Sequence, residues 1–245
     1  MTRYFAAAAA ATLLLAGCNT YNDGESISLD STAPGVEWQI RPYDDLKEFS
    51  GEEISMPGFD MGEYVRGVVP GTVFTAYVEA GIEEDPDYGD NIYRVDETFY
   101  NRPFWYRMSF DLPAAYSQGD RVWLHFDNTN RFADFYFNGH KISGTASSTK
   151  DVSGHMLRSR FDVTDLVSRD GENTVAVLIY DPDQKKTRDA SDFYGVVCSP
   201  SYLAGAGWDW MPYVPGRLAG ITGHVSLRLT GDAVISDPWI RSELP

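Results

Sequence analysis

Two cysteines, Cys18 and Cys198, are all that 245 residues contain. With Cys18 placed in a targeting segment, no intramolecular disulfide framework can be built. Cys198 has only His125, His140, His155 and His224 as possible partners, and none sits in a protease signature. It reads as a structural thiol rather than a nucleophile. Basic residues are scarce as well: 20 Lys and Arg against 36 Asp and Glu, a formal charge of -16. A surface this negative repels phosphate backbones and speaks against nucleic acid as a partner. No long Lys/Arg run marks an anionic-membrane patch. There is no Gly-rich phosphate loop, no Cys-x-x-Cys, no zinc-binding His-Glu-x-x-His and no Gly-x-Ser-x-Gly elbow. Nothing in the sequence calls for a metal or another cofactor. Many acids are present, but no pair is marked out as the two carboxyl groups that glycoside cleavage needs.

One apolar run exists, and it is short. Phe5 to Ala16 follows Arg3 and ends in Leu15-Ala-Gly-Cys18. It is too short to span a bilayer comfortably and has the layout of a secretory signal. Leu-Ala-Gly-Cys resembles the bacterial lipobox, which implies cleavage after residue 17 and lipidation of Cys18. The expected location is the bacterial cell envelope, lipid-anchored, periplasmic or on the outer membrane. Residues 18–35 are polar and read as a flexible tether.

Aromatic residues are plentiful, 14% of the chain. From Val36 onward the pattern is alternating. Val36–Ile40, Trp105–Leu112, Arg121–Asp127, Ala133–Gly139, Leu157–Val163, Val175–Tyr180 and Val225–Leu229 each read as strands. Asn138-Gly139 reads as a hairpin turn into Lys141–Ser143. Val175–Tyr180 is apolar enough to be central. One short helix is expected, starting near Thr72 and stopped by Gly81; residues 41–63 read as loop. Short strands at near-regular spacing predict an all-β antiparallel sandwich or jelly roll over residues 36–235. Residues 236–245 read as a linker or the start of a further domain.

The stretch Gly205-Ala-Gly-Trp-Asp-Trp-Met-Pro212 is a loop by composition. It sets Asp209 between Trp208 and Trp210. Indoles stack on the apolar faces of sugar rings and a carboxylate accepts hydroxyl hydrogen bonds, a pairing suited to carbohydrate. The same residues would serve equally as a core plug with Asp209 capping a turn. Glu83-Glu-Asp-Pro-Asp-Tyr-Gly-Asp-Asn91 could offer carboxylates to calcium, but its spacing is not that of an EF-hand; a solvated turn is the better reading. An acidic face could also attract a cationic amino sugar.

The ordered set Val69-Pro-Gly-Thr-Val73, Asp85-Pro-Asp-Tyr-Gly-Asp-Asn91, Phe104-Trp-Tyr-Arg107, Asn138-Gly139, Phe161-Asp-Val-Thr164, Gly171-Glu-Asn-Thr-Val175 and Gly207-Trp-Asp-Trp-Met-Pro212 resembles the N-terminal galactose-binding-like domain of glycoside hydrolase family 2. The nearest branch is that of β-mannosidases and exo-β-glucosaminidases. The resemblance implies a jelly-roll sandwich with one short helix. It implies a non-catalytic, sugar-binding domain inactive by itself, with the two catalytic glutamates on a (β/α)8 barrel that this chain does not contain. It implies that Trp208 and Asp209 touch a β-linked mannoside or glucosaminide, and that Asp90 and Asn91 face the same site; Trp210 joins them as a stacking indole by its chemistry. Ile221-Thr-Gly-His224 departs from the Ile-Trp-Arg-Asp usual in the family. The alternative is a stand-alone carbohydrate-binding or interaction lipoprotein at the cell surface.

Overall fold

The computed structural model describes residues 26–112, 121–143, 152–153, 157–180 and 214–231, together with 233, 235 and 239–243. Among these, eleven strands form two antiparallel sheets. The smaller sheet runs β1 (Ser26–Ser28), β11 (Val225–Thr230), β5 (Arg121–Phe126), β9 (Ser159–Asp162). The larger runs β3 (Val65–Gly67), β2 (Trp38–Pro42), β4 (Phe104–Phe110), β10 (Asn173–Ile179), β6 (Phe132–Phe137), β7 (His140–Lys141), and β8 (Val152–Ser153) also pairs with β6. The all-β sandwich expected from the alternation is present.

Alternation decides which side chains meet between the sheets. Val122, Leu124, Phe126, Val225, Leu227 and Leu229 point inward from the smaller sheet. Phe104, Tyr106, Met108, Phe135, Phe137, Val175, Val177 and Ile179 answer from the larger. Phe126 and Phe135 meet with ring centroids 4.6 Å apart. Each such buried side chain contributes roughly 1.5–3 kcal/mol. Trp38 Nε1 donates to Leu29 O at 2.7 Å, tying β2 to the chain leaving β1.

The larger sheet is also covered on its outer face. Trp105, Tyr136, Ala176 and Leu178 pack there against Leu46, Ile54 and Met61. That is why β10 is buried along its whole length, and why Val175–Ile179 is continuously apolar rather than alternating. The cover carries a helix inside the stretch 41–63 that reads as loop from the sequence: α1 (Gly51–Ile54), besides the expected α2 (Val73–Glu79). A capping box explains α1. Glu53 N donates to Ser50 Oγ at 3.2 Å and Ser50 N to Glu53 Oε2 at 2.7 Å. Arg107 then closes its far end, donating to Ile54 O at 3.0 Å and Met56 O at 3.1 Å. Thus Phe104-Trp-Tyr-Arg107 sends Phe104 and Tyr106 to the central core, and Trp105 and Arg107 to the cover.

A second difference lies at the start. Residues 26–35, assigned to the tether, are part of the fold: β1 pairs with β11 in register Ser26↔Arg228 to Ser28↔Ser226. Three residues are too few to show an alternating pattern, so the pairing had no sequence signature. Helix α2 follows its expected start and stop. Thr72 Oγ1 accepts from Thr75 N, and Gly81 takes a left-handed φ of 70° just past the end.

Candidate functional site

At one end of the sandwich, α2, the acidic turn 83–91 and the segment Val214–Gly220 come together. They enclose an open cleft of about 420 Å3 lined by Phe74, Val78, Asp85, Pro86, Asp87, Ile92, Val214, Pro215 and Leu218, among others. The wall is apolar with two carboxylates set into it. Apolar surface with a few polar groups is the usual make-up of a small-ligand site.

The acidic turn is shaped by its own polar groups. Asp85 Oδ1 accepts from Asp87 N at 2.9 Å, an Asx turn. Asn91 Nδ2 donates to Asp85 O at 3.0 Å and closes the loop. Asp90 is ion-paired with Arg94, 2.8 Å away, and Glu84 reaches the same guanidinium at 3.3 Å. Asp90 and Asn91 therefore stand on the turn, but neither lines the cleft. Asp85 and Asp87 do. Tyr88 and Tyr93 project from the same stretch, 77% and 79% exposed. Exposed rings beside carboxylates suit a sugar surface. The sequence offers Asp85, Asp87 and Tyr88 only within the acidic run and the family motif, not as sugar contacts, and does not offer Tyr93; the signal that could have found them is tyrosine interspersed with acids in one stretch. Among the described residues no group of three His, Cys, Asp or Glu is poised to hold a metal ion.

The opposite wall is held under strain. Gly216, Arg217 and Leu218 take φ of 77°, 60° and 54° in succession. Left-handed backbone at two non-glycine residues persists only where surroundings enforce it. Here Glu97 does so: Oε1 accepts from Gly216 N at 3.0 Å and Oε2 lies 3.4 Å from Arg217 Nε. Burial pushes the Glu97 carboxyl above the ordinary glutamate range, against the opposing pull of the Gly216 hydrogen bond and the Arg217 charge. Asn130 Nδ2 donates to Leu218 O at 2.7 Å, and Val73 N to Ala219 O at 2.8 Å. A Cβ on Gly216 would sit 2.2 Å from Phe74 Cβ, so glycine is required for the close approach to α2. Beneath lie Tyr77, Phe99, Tyr100 and Phe104 in mutual ring contact. Burial raises the Tyr77 phenol to about 12, with smaller contributions from nearby charges. Tyr100 is raised further by burial and by its 2.7 Å hydrogen bond to Glu83.

Trp208, Asp209 and Trp210 lie outside the described residues, as do Cys18 and Cys198. Val214, which lines the cleft, follows Trp210 by four positions in the chain.

Residues 38–223 match the family described as glycosyl hydrolase 2 galactose-binding domain-like. The chain belongs to this family. A mannosylglycoprotein endo-beta-mannosidase of Lilium longiflorum is 31% identical over 193 residues, 74% of this chain and 19% of the relative. An exo-beta-D-glucosaminidase of Streptomyces avermitilis is 29% identical over 192 residues, 78% of this chain and 19% of the relative. The solved exo-chitosanase of Amycolatopsis orientalis superposes with a TM-score of 0.64 at 25% identity, over 85% of this chain and 21% of that one. The chain thus spans about a fifth of the length of the relatives it matches. It corresponds to their N-terminal, galactose-binding-like domain and not to a catalytic barrel.

Proposed function

We propose that this domain holds one end of a β-linked glucosaminide or mannoside oligosaccharide and cleaves nothing by itself. The observation that carries this is the cleft between α2, the acidic turn and Val214–Leu218, with two carboxylates in an apolar wall, and with the exposed Tyr88 and Tyr93 following the lining residues Asp87 and Ile92 in the chain. Trp208, Asp209 and Trp210 supply further contacts, with Asp90 and Asn91 fixing the rim. The charge favours a glucosaminide, because Asp85 and Asp87 would meet a protonated amine. The bond-breaking carboxylates belong to a (β/α)8 domain outside this chain. The relatives' names, mannosidase and glucosaminidase, support this sugar class.

Calorimetric titration with chitosan oligomers and manno-oligosaccharides tests the reading. Binding is expected in both sets, tighter for the chitosan oligomers, and weakened about five- to tenfold by Trp208→Ala, the worth of one stacked ring. No binding at millimolar sugar sinks the reading. So does turnover of an aryl β-glycoside that disappears in Asp209→Ala.

We also assign Leu15-Ala-Gly-Cys18 as the lipidation signal that tethers the domain to the envelope. Metabolic palmitate labelling, lost in Cys18→Ser, is the expected result; label retained by that variant refutes it. Among the described residues no helix is long and apolar enough to cross a membrane.

A further inference from the structure

The smaller sheet has one face in the core and one face outside. The outer face collects cations that are scattered in the sequence. Arg121, Arg158, Arg160 and Arg228 come from β5, the entry to β9, β9 itself and β11. Cross-strand register puts Trp123 opposite Arg228 on one side and Asp162 on the other, and His125 opposite Arg160. The inward positions between them, Val122, Leu124 and Phe126, are buried.

Two of the arginines are neutralised. Arg121 pairs with Asp162 at 3.1 Å and Arg158 with Asp127 at 3.4 Å. The other two have no carboxylate partner among the described residues. Arg160 lies over the Trp123 ring, 4.9 Å from its centroid. Trp123 Nε1 donates to Thr230 Oγ1 at 3.0 Å, which fixes the ring on this face. His125 adds no charge near neutral pH: burial, then Arg228 and Arg160, lower it to about 4. The face is therefore net positive on a chain of formal charge -16.

We infer that this face lies against the membrane and takes anionic lipid headgroups. Two features select that occupant. The first is chemistry: arginine forks match phosphate oxygens, and a tryptophan held beside them suits the headgroup layer. The second is the path of the chain. β1 is an edge strand of this same sheet, and Ser26 follows Cys18 by eight positions. Eight residues reach at most about 28 Å, so an anchor at Cys18 keeps this sheet near the bilayer. Screening over a Debye length of about 8 Å lets the near face act locally despite the acidic remainder. The placement rests on the lipidation assigned to Cys18; the chemistry of the face does not.

The test uses the full chain bound to vesicles and arginine modification by phenylglyoxal, read site by site by mass spectrometry. On phosphatidylglycerol vesicles, Arg160 and Arg228 should label at least about fivefold more slowly than on phosphatidylcholine vesicles, from the attraction expected per arginine. Arg66, exposed on β3 of the other sheet, should label equally on both. In the double variant Arg160→Gln/Arg228→Gln, the lipid-dependent protection of Arg121 should vanish. A chain that floats with both vesicle types and labels equally on them overturns the face while leaving the anchor standing. A chain that floats with neither overturns both. Neither result touches the sugar titration with Trp208→Ala.

Discussion

Gly216→Ala separates two physical costs that usually come together. Position 216 has φ of 77°, and a Cβ there would meet Phe74 Cβ at 2.2 Å. The left-handed backbone costs alanine roughly 1–2 kcal/mol. Forcing a methyl into the packed wall adds about 1–3 kcal/mol, because Phe74 is buried on α2 and must shift. Gly81 is the internal control. Its φ is 70°, but no atom lies within 4 Å of a Cβ built there. Gly81→Ala should therefore show the backbone cost alone. Urea unfolding of the two variants beside the parent measures both. Gly216→Ala should lower the unfolding free energy by about 2–5 kcal/mol, and Gly81→Ala by about 1–2 kcal/mol. The same substitution should weaken sugar binding, since Pro215 and Leu218 line the cleft. A double-mutant cycle sharpens the case. Phe74→Gly in the Gly216→Ala background should cost about 1–3 kcal/mol less than in the parent, because removing Phe74 Cβ relieves the clash. If the two glycine variants are equally destabilised, or the cycle shows no coupling, the close-approach argument is wrong.

Three further outcomes are expected. Glu97 has its folded pKa raised by burial. The folded state then binds its proton more tightly than the unfolded chain, so stability falls as pH rises from the ordinary glutamate value through the folded one. Glu97→Gln should flatten that part of the pH profile in urea titrations, and an unchanged slope counts against it. His224 is raised by its 2.7 Å hydrogen bond to Asp30. The stability it adds is present below the unfolded histidine pKa and lost as pH rises through the folded one; His224→Gln should remove this dependence, and a Tm that tracks pH as before would refute it. Arg107→Met leaves Ile54 O and Met56 O without their donor. Thermal unfolding should show a loss of about 2–4 kcal/mol, with faster proteolysis across 51–63, and a loss under 1 kcal/mol contradicts the capping role.

Much of the sandwich was legible before any coordinate. Val175–Tyr180 reads as a central strand, and β10 lies between β4 and β6 in the larger sheet. Thr72 and Gly81 marked the ends of α2 because a cap and a left-handed stop are local chemistry. The same kind of signal was present for α1 as Ser50 and Glu53, but it lay inside a stretch rich in Gly and Pro and read as loop. β1 had no comparable signature, since its pairing with β11 spans almost the whole chain. In the site, the acidic turn was visible as composition. Which of its acids face the cleft was not: Asp85 and Asp87 line it, while Asp90 turns to Arg94.

What the sequence by itself determined follows from short-range rules: alternation sets strand faces, caps set helix ends, and ordered motifs mark the family. Only the tertiary structure decided which distant residues share a surface. Glu97 grips Gly216 and Arg217 across more than a hundred positions. Arg121, Arg160 and Arg228 form one cationic face although no basic run exists in the chain. Strand register creates such neighbours, and register between strands far apart in sequence depends on the packed core as a whole.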